Sequence, residues 1–304
     1  MGVMVEGVYH VEDEGPRTAS DGSFRREPSN LREWIGTPGH PAEAGRYHLF
    51  VAWNCPWAHR ALLTRALLGL DKAISVSYAR PNRTDQGWVF DPDGPYSDPE
   101  IGVEALHEVY ARHPEPYTGR VTVPVLWDRE RQRIVSNESA DIVQMLGRFE
   151  GTPVLRPKGL EREIDTWNSL IYERINNGVY RAGFAKTQDA YDAAVKVLFE
   201  TLDRIEASLT HHDWLCGERF TEADLRLFPT LARFDVAYHY AFKCNIRKLS
   251  EYPALWRYAR HIYHLPGVAR TVDFDIYKRG YFSKSELRNP LGIIPAGPKV
   301  DWSL

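Results

Sequence analysis

The sequence has few cysteines, no excess of basic residues and no long apolar run. Its three cysteines, Cys55, Cys216 and Cys244, are too few and too scattered for a disulfide framework, and none has a second cysteine at metal-ligand spacing. The formal net charge of −3 excludes the basic footprint of a nucleic-acid-binding domain. No stretch approaches the roughly 18 apolar residues of a membrane span. We therefore expect neither nucleic-acid nor membrane partners.

The composition favours a soluble, cytoplasmic protein without a metal. The hydrophobic fraction of 43% and the charged fraction of 26% are ordinary for globular proteins. The N-terminal residues are polar and acidic, unlike a secretion signal, so a cytoplasmic location is expected. His261 and His264 have no HExxH context, and His211 and His212 are adjacent, so the histidines do not indicate a zinc site. The length of 304 residues allows two modest domains.

Residues 45–156 predict an α/β domain of thioredoxin-like order. Apolar and β-branched runs predict strands over 47–53, 74–78, 121–127 and 133–135. Apolar residues at helical spacing predict helices over 57–70 and 138–149. Residues 79–118 are dense in Pro, Asp and Gly, and a structureless insertion of that length is usually functional. The order is β-α-β, insertion, β-β-α.

The remaining chain predicts an N-terminal arm and an all-α domain. Residues 1–44 are rich in Gly, Pro and charge and show little periodicity, so we expect an extended arm. Residues 157–304 predict helices over 160–175, 191–208, 223–234 and 252–263, followed by an irregular tail after residue 281. Thr221 and Asp224 have the spacing of a capping box before the third of these helices.

Cys55 lies where the first predicted strand meets a helix with Pro56 at its first position. Unpaired backbone N–H groups and the positive end of the helix dipole favour a thiolate there. Since Cys-Pro-Trp-Ala contains one cysteine, a mixed disulfide on Cys55 needs an external thiol for its resolution. The alternative is a small apolar filler, because thiols are often buried. Cys216 and Cys244 lack such a setting, and we expect structural roles for them.

Two further stretches have the chemistry of a peptide-like ligand site. Pro124 cannot donate to a sheet and is compatible with a turn containing a cis bond, which would leave the N–H and C=O of Val123 available to a ligand. Ser139 would open a helix whose N-terminus attracts a carboxylate, and Glu138 would accept an ammonium group. An edge-strand proline and an ordinary N-cap explain the same residues without a ligand.

Several segments together resemble the Xi-class glutathione transferases, which are the glutathionyl-hydroquinone reductases. The resemblance runs from about residue 45 to the tail, and Cys-Pro-Trp-Ala-His-Arg with Asn-Asn-Gly-Val-Tyr makes it specific. The segments include Gly45-Arg46-Tyr47-His48-Leu49, Cys55-Pro56-Trp57-Ala58-His59-Arg60, Gly87-Trp88-x-Phe90, Thr122-Val123-Pro124-Val125-Leu126-Trp127-Asp128, Ser136-Asn137-Glu138-Ser139, Asn176-Asn177-Gly178-Val179-Tyr180, Arg233-Phe234-Asp235-Val236 and Lys278-Arg279-x-Tyr281.

The resemblance implies a fold, a reaction and a set of site residues. The fold is that of the glutathione transferases, which commonly dimerise. Cys55 is implied as the nucleophile that attacks the sulfur of a glutathionyl-hydroquinone, and a second glutathione resolves the resulting disulfide. Tyr180 is implied to handle the proton on the quinol, and Tyr238 and Tyr281 to support the thiolate charge. The residues implied to hold glutathione are Trp88, Arg120, Val123, Glu138 and Ser139.

The sequence departs from the family pattern near the implied electrophile pocket. Gly280 stands where histidine is expected, and Lys284-Ser285 stands where Ser-His is usual. Because these positions border the implied electrophile pocket, the departures affect which aromatic quinol thioether and which thiol we expect. They do not affect the expected fold or the role of Cys55. Three alternatives follow: an omega-like thioltransferase or dehydroascorbate reductase, the same chemistry with another low-molecular-weight thiol, or a non-catalytic assembly module.

Overall fold

The computed structural model describes residues 2–11, 18–286 and 288–304. These residues form two units, one made of 2–11 with 28–153 and the other of 18–27 with 154–304. The segment before residue 45 therefore contributes to both units.

The first unit is built on a four-stranded mixed sheet with helices. Its elements are β1 (Val3–Val5), β2 (Val8–His10), β3 (Tyr47–Ala52), α1 (Pro56–Leu67), β4 (Ile74–Ala79), α2 (Leu106–Ala111), β5 (Gly119–Arg120), β6 (Val125–Asp128), β7 (Arg133–Ser136) and α3 (Ser139–Leu146), with a 3-10 turn at Gly94–Tyr96. The sheet order is β4-β3-β6-β7. β3 is parallel to β4 and antiparallel to β6, and β7 is antiparallel to β6. A smaller antiparallel sheet has the order β2-β1-β5.

β3 is the strand that leads to the thiol. Both of its edges are paired, with Tyr47 opposite Ile74 on one side and Asp128 on the other. All six of its residues are buried, as a continuous apolar and aromatic run at the centre of a covered sheet requires. The chain then turns sharply, since the N–H of Cys55 donates to the carbonyl of Ala52 at 3.1 Å. After this turn the chain continues into α1, which begins at Pro56.

The second unit is helical. Its elements are α4 (Glu161–Ile171), a π-helical turn (Tyr172–Asn176), α5 (Gly178–Gly183), α6 (Gln188–Leu209), α7 (Glu222–Arg233), a second π-helical turn (Phe234–Tyr238), α8 (His239–Ala241), a 3-10 turn (Leu249–Glu251), α9 (Pro253–Tyr263), a 3-10 turn (Ala269–Thr271) and α10 (Phe274–Tyr281). The predicted capping box is present at the start of α7. The carboxylate of Asp224 accepts from the N–H of Thr221 at 2.7 Å and from the Tyr258 hydroxyl at 2.8 Å.

Each predicted strand and helix is present, but the strand predicted over 121–127 begins only at Val125, since Pro124 has no N–H to donate to the sheet. The elements that the sequence did not predict are short. β1, β2 and β5 have at most three residues each, too few for an alternating pattern to stand out. α2 lies within the Pro- and Gly-rich insertion, and α10 lies in a stretch that has no predicted helix. The tail is irregular as expected, but its Trp302 is buried.

Candidate active site

Cys55 is a half-buried, reduced thiol at the N-cap of α1. Its backbone is extended, with φ −82° and ψ 118°, and Pro56 occupies the first turn as predicted. The Cys55 carbonyl accepts the first helical bond, from the N–H of His59 at 3.0 Å. This geometry directs the start of the helix, with its partial positive charge, toward the residue that carries the sulfur.

Val123 lies directly beside this sulfur. The Cys55 thiol donates to the carbonyl of Val123, with Sγ 3.6 Å from the oxygen. The Val123–Pro124 peptide bond is cis. Two segments 68 residues apart in sequence therefore meet at one polar contact. The structure thus brings the predicted nucleophile and one predicted ligand-binding residue together.

Glu138 and Ser139 form the start of α3, as the sequence predicts. Glu138 is the N-cap, and its Oε1 accepts from the N–H of Ala140 at 3.0 Å. Ser139 is buried, and its Oγ accepts from Nη1 of Arg60 at 3.4 Å. Arg60 is itself only 2% exposed, and its guanidinium lies 4.6 Å from the Trp57 ring centroid. A buried cation therefore links α1 to the residue implied to hold a carboxylate.

Sequence reasoning assigned no role to Arg60. The available signal was its spacing, since it stands five positions after Cys55 in Cys-Pro-Trp-Ala-His-Arg. A guanidinium is rarely buried without a paired group, and the sequence does not identify that group.

Trp88 and Arg120 belong to the same unit as Cys55 but lie on other segments. Trp88 is 6% exposed, and the guanidinium of Arg83 lies 5.1 Å from its ring centroid. Arg120 is half-buried on β5, where it pairs with Val3 of β1. Its carbonyl accepts from the Tyr117 hydroxyl at 3.2 Å. The sequence did not predict that the N-terminal hairpin forms the sheet next to Arg120.

The second unit brings the three predicted tyrosines together. The hydroxyl oxygens of Tyr180 and Tyr281 are 3.2 Å apart, and those of Tyr238 and Tyr281 are 2.9 Å apart. Tyr180 comes from α5, Tyr238 from the second π-helical turn and Tyr281 from the end of α10. Tyr281 is therefore the central member of a chain of three phenols.

Packing around the phenols is tight and aromatic. The Phe242 ring lies 5.3 to 5.5 Å from the rings of Tyr180, Tyr238 and Tyr281. It also packs against α5 at Gly183, where a Cβ would come within 2.2 Å of the Phe242 Cγ. Only glycine at that position allows so close an approach.

Burial shifts the pKa of two of the three phenols, Tyr238 and Tyr281. It raises the pKa of Tyr238 and Tyr281 well above the usual value, and the neighbouring Tyr180 raises both further. Arg233 opposes this shift only in part. Both phenols are therefore protonated at neutral pH, so each can donate a hydrogen bond.

The other two cysteines are buried. Burial raises the pKa of Cys216 to about 11 and that of Cys244 further. Cys244 is fully buried, and its sulfur lies 3.8 Å from the carbonyl oxygen of Phe242. At neutral pH these thiols stay protonated, which makes them poor nucleophiles.

The described residues contain neither a metal-ligand group nor a membrane-spanning helix. Within 2–11, 18–286 and 288–304, no three His, Cys, Asp or Glu side chains are grouped as a metal site requires. No helix formed by that part of the chain has the length and apolarity needed to cross a bilayer.

Comparisons with known families agree with this architecture. The family model of the glutathione S-transferase N-terminal domain matches residues 54–148, and that of the C-terminal domain matches residues 188–261. The first match includes Cys55, Val123 and Ser139. The class of protein that the fold and the thiol define is thus a glutathione transferase, with a thioredoxin-like domain followed by an all-α domain.

Individual relatives give a narrower assignment. The chain is 43% identical to glutathionyl-hydroquinone reductase YqjG of Escherichia coli K12, over 99% of this chain and 96% of that one. The glutathione-bound structure of YqjG covers 90% of this chain and 94% of its own, with a TM-score of 0.86 and 44% identity. An Xi-class glutathione transferase from Natrialba magadii covers 100% of this chain and 95% of its own, with a TM-score of 0.92 and 40% identity. The chain belongs to the Xi class of glutathione transferases, so the predicted family and fold class are confirmed.

Proposed function

We propose that the protein is a glutathionyl-hydroquinone reductase that uses glutathione as its co-substrate. Cys55 carries the proposal, because it is a half-buried thiol at a helix start whose sulfur lies 3.6 Å from the Val123 carbonyl oxygen. The similarity to a relative named as a glutathionyl-hydroquinone reductase, at 43% identity over nearly the full length, supports the reaction. The glutathione in the YqjG structure supports the thiol.

The first step transfers glutathione to the protein. The Cys55 thiolate attacks the sulfur of the glutathionyl-hydroquinone, an S–S bond forms, and the bond between that sulfur and the ring carbon breaks. The electron pair stays with the ring carbon, which takes up one proton and leaves as the hydroquinone. The quinol is thereby reduced, and Cys55 is left in a mixed disulfide with glutathione.

The second step regenerates the thiolate. A glutathione thiolate attacks the glutathione sulfur of the mixed disulfide, oxidised glutathione leaves, and the Cys55 thiolate is restored. Because the chain has no cysteine in the Cys-x-x-Cys position, an external thiol is required here. The overall reaction consumes one glutathionyl-hydroquinone and one glutathione.

We propose the tyrosines as the proton source of the first step. Tyr180 would deliver the proton to the ring, and Tyr238 and Tyr281 would support charge through their hydroxyl groups. The hydroxyl contacts of 3.2 and 2.9 Å would let Tyr281 and Tyr238 return a proton to Tyr180 after Tyr180 has donated its own. Burial, which keeps Tyr238 and Tyr281 protonated, supports a donor role rather than a basic one.

Glutathione is proposed to bind along the first unit. The backbone of Val123 would pair with the peptide-like part of the tripeptide, as in other thioredoxin-like ligand sites. Glu138 and Ser139 at the start of α3 would hold the γ-glutamyl ammonium and carboxylate. Trp88 and Arg120 are proposed to complete the site, on the basis of the family resemblance alone.

Turnover on two substrates tests the proposal. We expect reduction of glutathionyl-menadiol with glutathione, at a kcat/KM at least about ten-fold above that for a glutathione mixed disulfide. The reverse preference would support the omega-like thioltransferase. Absence of turnover and of glutathione binding would support a non-catalytic module. A cytoplasmic homodimer stays a further prediction, and light scattering of the purified protein measures the dimer.

A further inference from the structure

The N-terminal segment supplies residues to the tyrosine cluster that the sequence did not connect with it. Phe24 is 9% exposed, and its ring centroid lies 6.2 Å from that of Tyr180 and 5.7 Å from that of Phe184. Two residues after Phe24, Nε of Arg26 donates to Oδ1 of Asn177 at 2.7 Å. The Arg26 guanidinium then lies over the Tyr180 ring, 5.0 Å from its centroid.

This placement is fixed by backbone contacts on the same unit. The carbonyl of Gly22 accepts from the N–H of Lys186 at 3.1 Å, and the carbonyl of Asp21 accepts from the Thr187 hydroxyl at 3.1 Å. Gly22 has a φ of +84°, and a Cβ there would meet Thr187 at 2.9 Å. These contacts hold residues 21 and 22 against residues 186 and 187. The hydrogen bond to Asn177 then orients the Arg26 side chain.

A second guanidinium lies over the same aromatic cluster. The Cζ of Arg288 is 5.0 Å from the ring centroid of Phe184, which in turn is 6.0 Å from that of Tyr180. Arg26 and Arg288 are both exposed, whereas Tyr180 and Phe184 are half-buried. The side chains thus form an aromatic surface bordered by two cations, which come from opposite ends of the chain.

We propose that Arg26 and Arg288 select aromatic substrates that carry an anionic group, such as a carboxylate on the quinol ring. The inference rests on the proposed function, since it places the quinol ring of the glutathionyl-hydroquinone against Tyr180 and Phe184. The aromatic surface binds a flat ring whatever its charge. A guanidinium offers a planar fork of N–H donors that fits a carboxylate.

The same contacts have a second explanation, in which Arg26 only fastens the N-terminal segment. In that case its replacement would weaken turnover of charged and neutral substrates alike. Only recognition of charge changes the ratio between two substrates that differ in charge. Because both cations are exposed, each contributes modestly to this ratio, by up to about five-fold.

The test compares glutathionyl-menadiol with a ring-carboxylated analogue in the full-length enzyme. We expect the carboxylated substrate to have the higher kcat/KM, with a preference that weakens at high salt. Arg26→Gln and Arg288→Gln should each reduce the preference about three-fold, and the double variant about ten-fold. Arg26→Lys keeps the charge and should retain most of the preference. Arg25→Gln, at the exposed neighbouring position, is the matched control and should leave the ratio unchanged.

Each other outcome overturns the inference in a distinguishable way. If the wild-type enzyme reduces glutathionyl-menadiol but shows no preference for the carboxylated analogue, the inference fails and the proposed function stands. Equal losses on both substrates in Arg26→Gln would reduce Arg26 to a structural anchor. If the wild-type enzyme reduces neither substrate, the proposed function fails and the inference with it.

Discussion

The two units of this protein differ in how deeply their thiols and phenols are buried. The first unit has one cysteine thiol, Cys55, which is half-buried at the start of α1 with its sulfur 3.6 Å from a carbonyl oxygen. The second unit buries Cys216, Cys244 and Tyr238, and Tyr281 is half-buried beside Tyr238. Burial raises the pKa of the thiols and phenols in the second unit, whereas the thiol of the first unit lies at the positive end of the dipole of α1. Three cysteines in one chain thus have different surroundings, and this difference is why we propose Cys55 rather than Cys216 or Cys244 as the nucleophile.

The largest effect is expected when the sulfur at the start of α1 is removed. We expect Cys55→Ala to lower kcat/KM for glutathionyl-menadiol by at least about a thousand-fold, because no other thiol is placed to form the disulfide. Circular dichroism should report an unchanged fold. Cys244→Ala is the matched control, with kcat/KM within about three-fold of wild type. Comparable losses in both variants would contradict the distinction between the two settings.

The next effect concerns the central phenol of the second unit. Tyr281→Phe removes the hydroxyl that contacts both other tyrosines and keeps the ring, so we expect a loss of about a hundred-fold in kcat for the quinol thioether. Single-turnover kinetics should report this loss. Exchange of a small mixed disulfide at Cys55 needs no proton on a ring carbon and should fall less than about three-fold. A similar fall in both reactions would assign Tyr281 a structural role.

The sequence predicted the first unit's site better than the second's. The turn from β3 into α1 was predictable because strand pattern, cysteine and proline are adjacent, and Glu138 and Ser139 have a local capping pattern. The tyrosine cluster was available only through family resemblance, since its members come from three separate helical segments. The contact between Arg26 and Tyr180 joins residues more than 150 positions apart. Nothing local in the sequence specifies such a pairing.

A third prediction tests how the tail supports the second unit. Trp302 packs against Trp256, Tyr263 and Phe274 with ring centroids 4.8 to 5.3 Å apart, and Phe274 begins α10. Trp302→Ala should lower the free energy of unfolding by about 3 kcal/mol, as expected for a buried aromatic side chain. Urea denaturation measures this change. Leu304→Ala, at a residue that is 71% exposed, should leave stability unchanged. An unaffected Trp302→Ala variant would mean that the tail does not contribute.

The smallest effect is expected from the buried thiol of Cys216. Burial raises its pKa to about 11 in the folded protein, above that of the unfolded chain. The associated stability is therefore complete below the unfolded pKa of about 8.5 and is lost as pH rises toward 11. Between these values Cys216→Ala should lose less stability than wild type in urea titrations. An identical pH dependence in the two proteins would show that this thiol titrates normally.

The most direct measurement is mass spectrometry of the protein after exposure to glutathionyl-menadiol without excess thiol. We expect one added glutathione per chain, located on the peptide that contains Cys55 and removed when glutathione is supplied. Hydroquinone should be released in equal amount. An adduct on Cys216 or Cys244, or hydroquinone release without any adduct, would contradict the assignment of Cys55 as the sulfur that accepts glutathione.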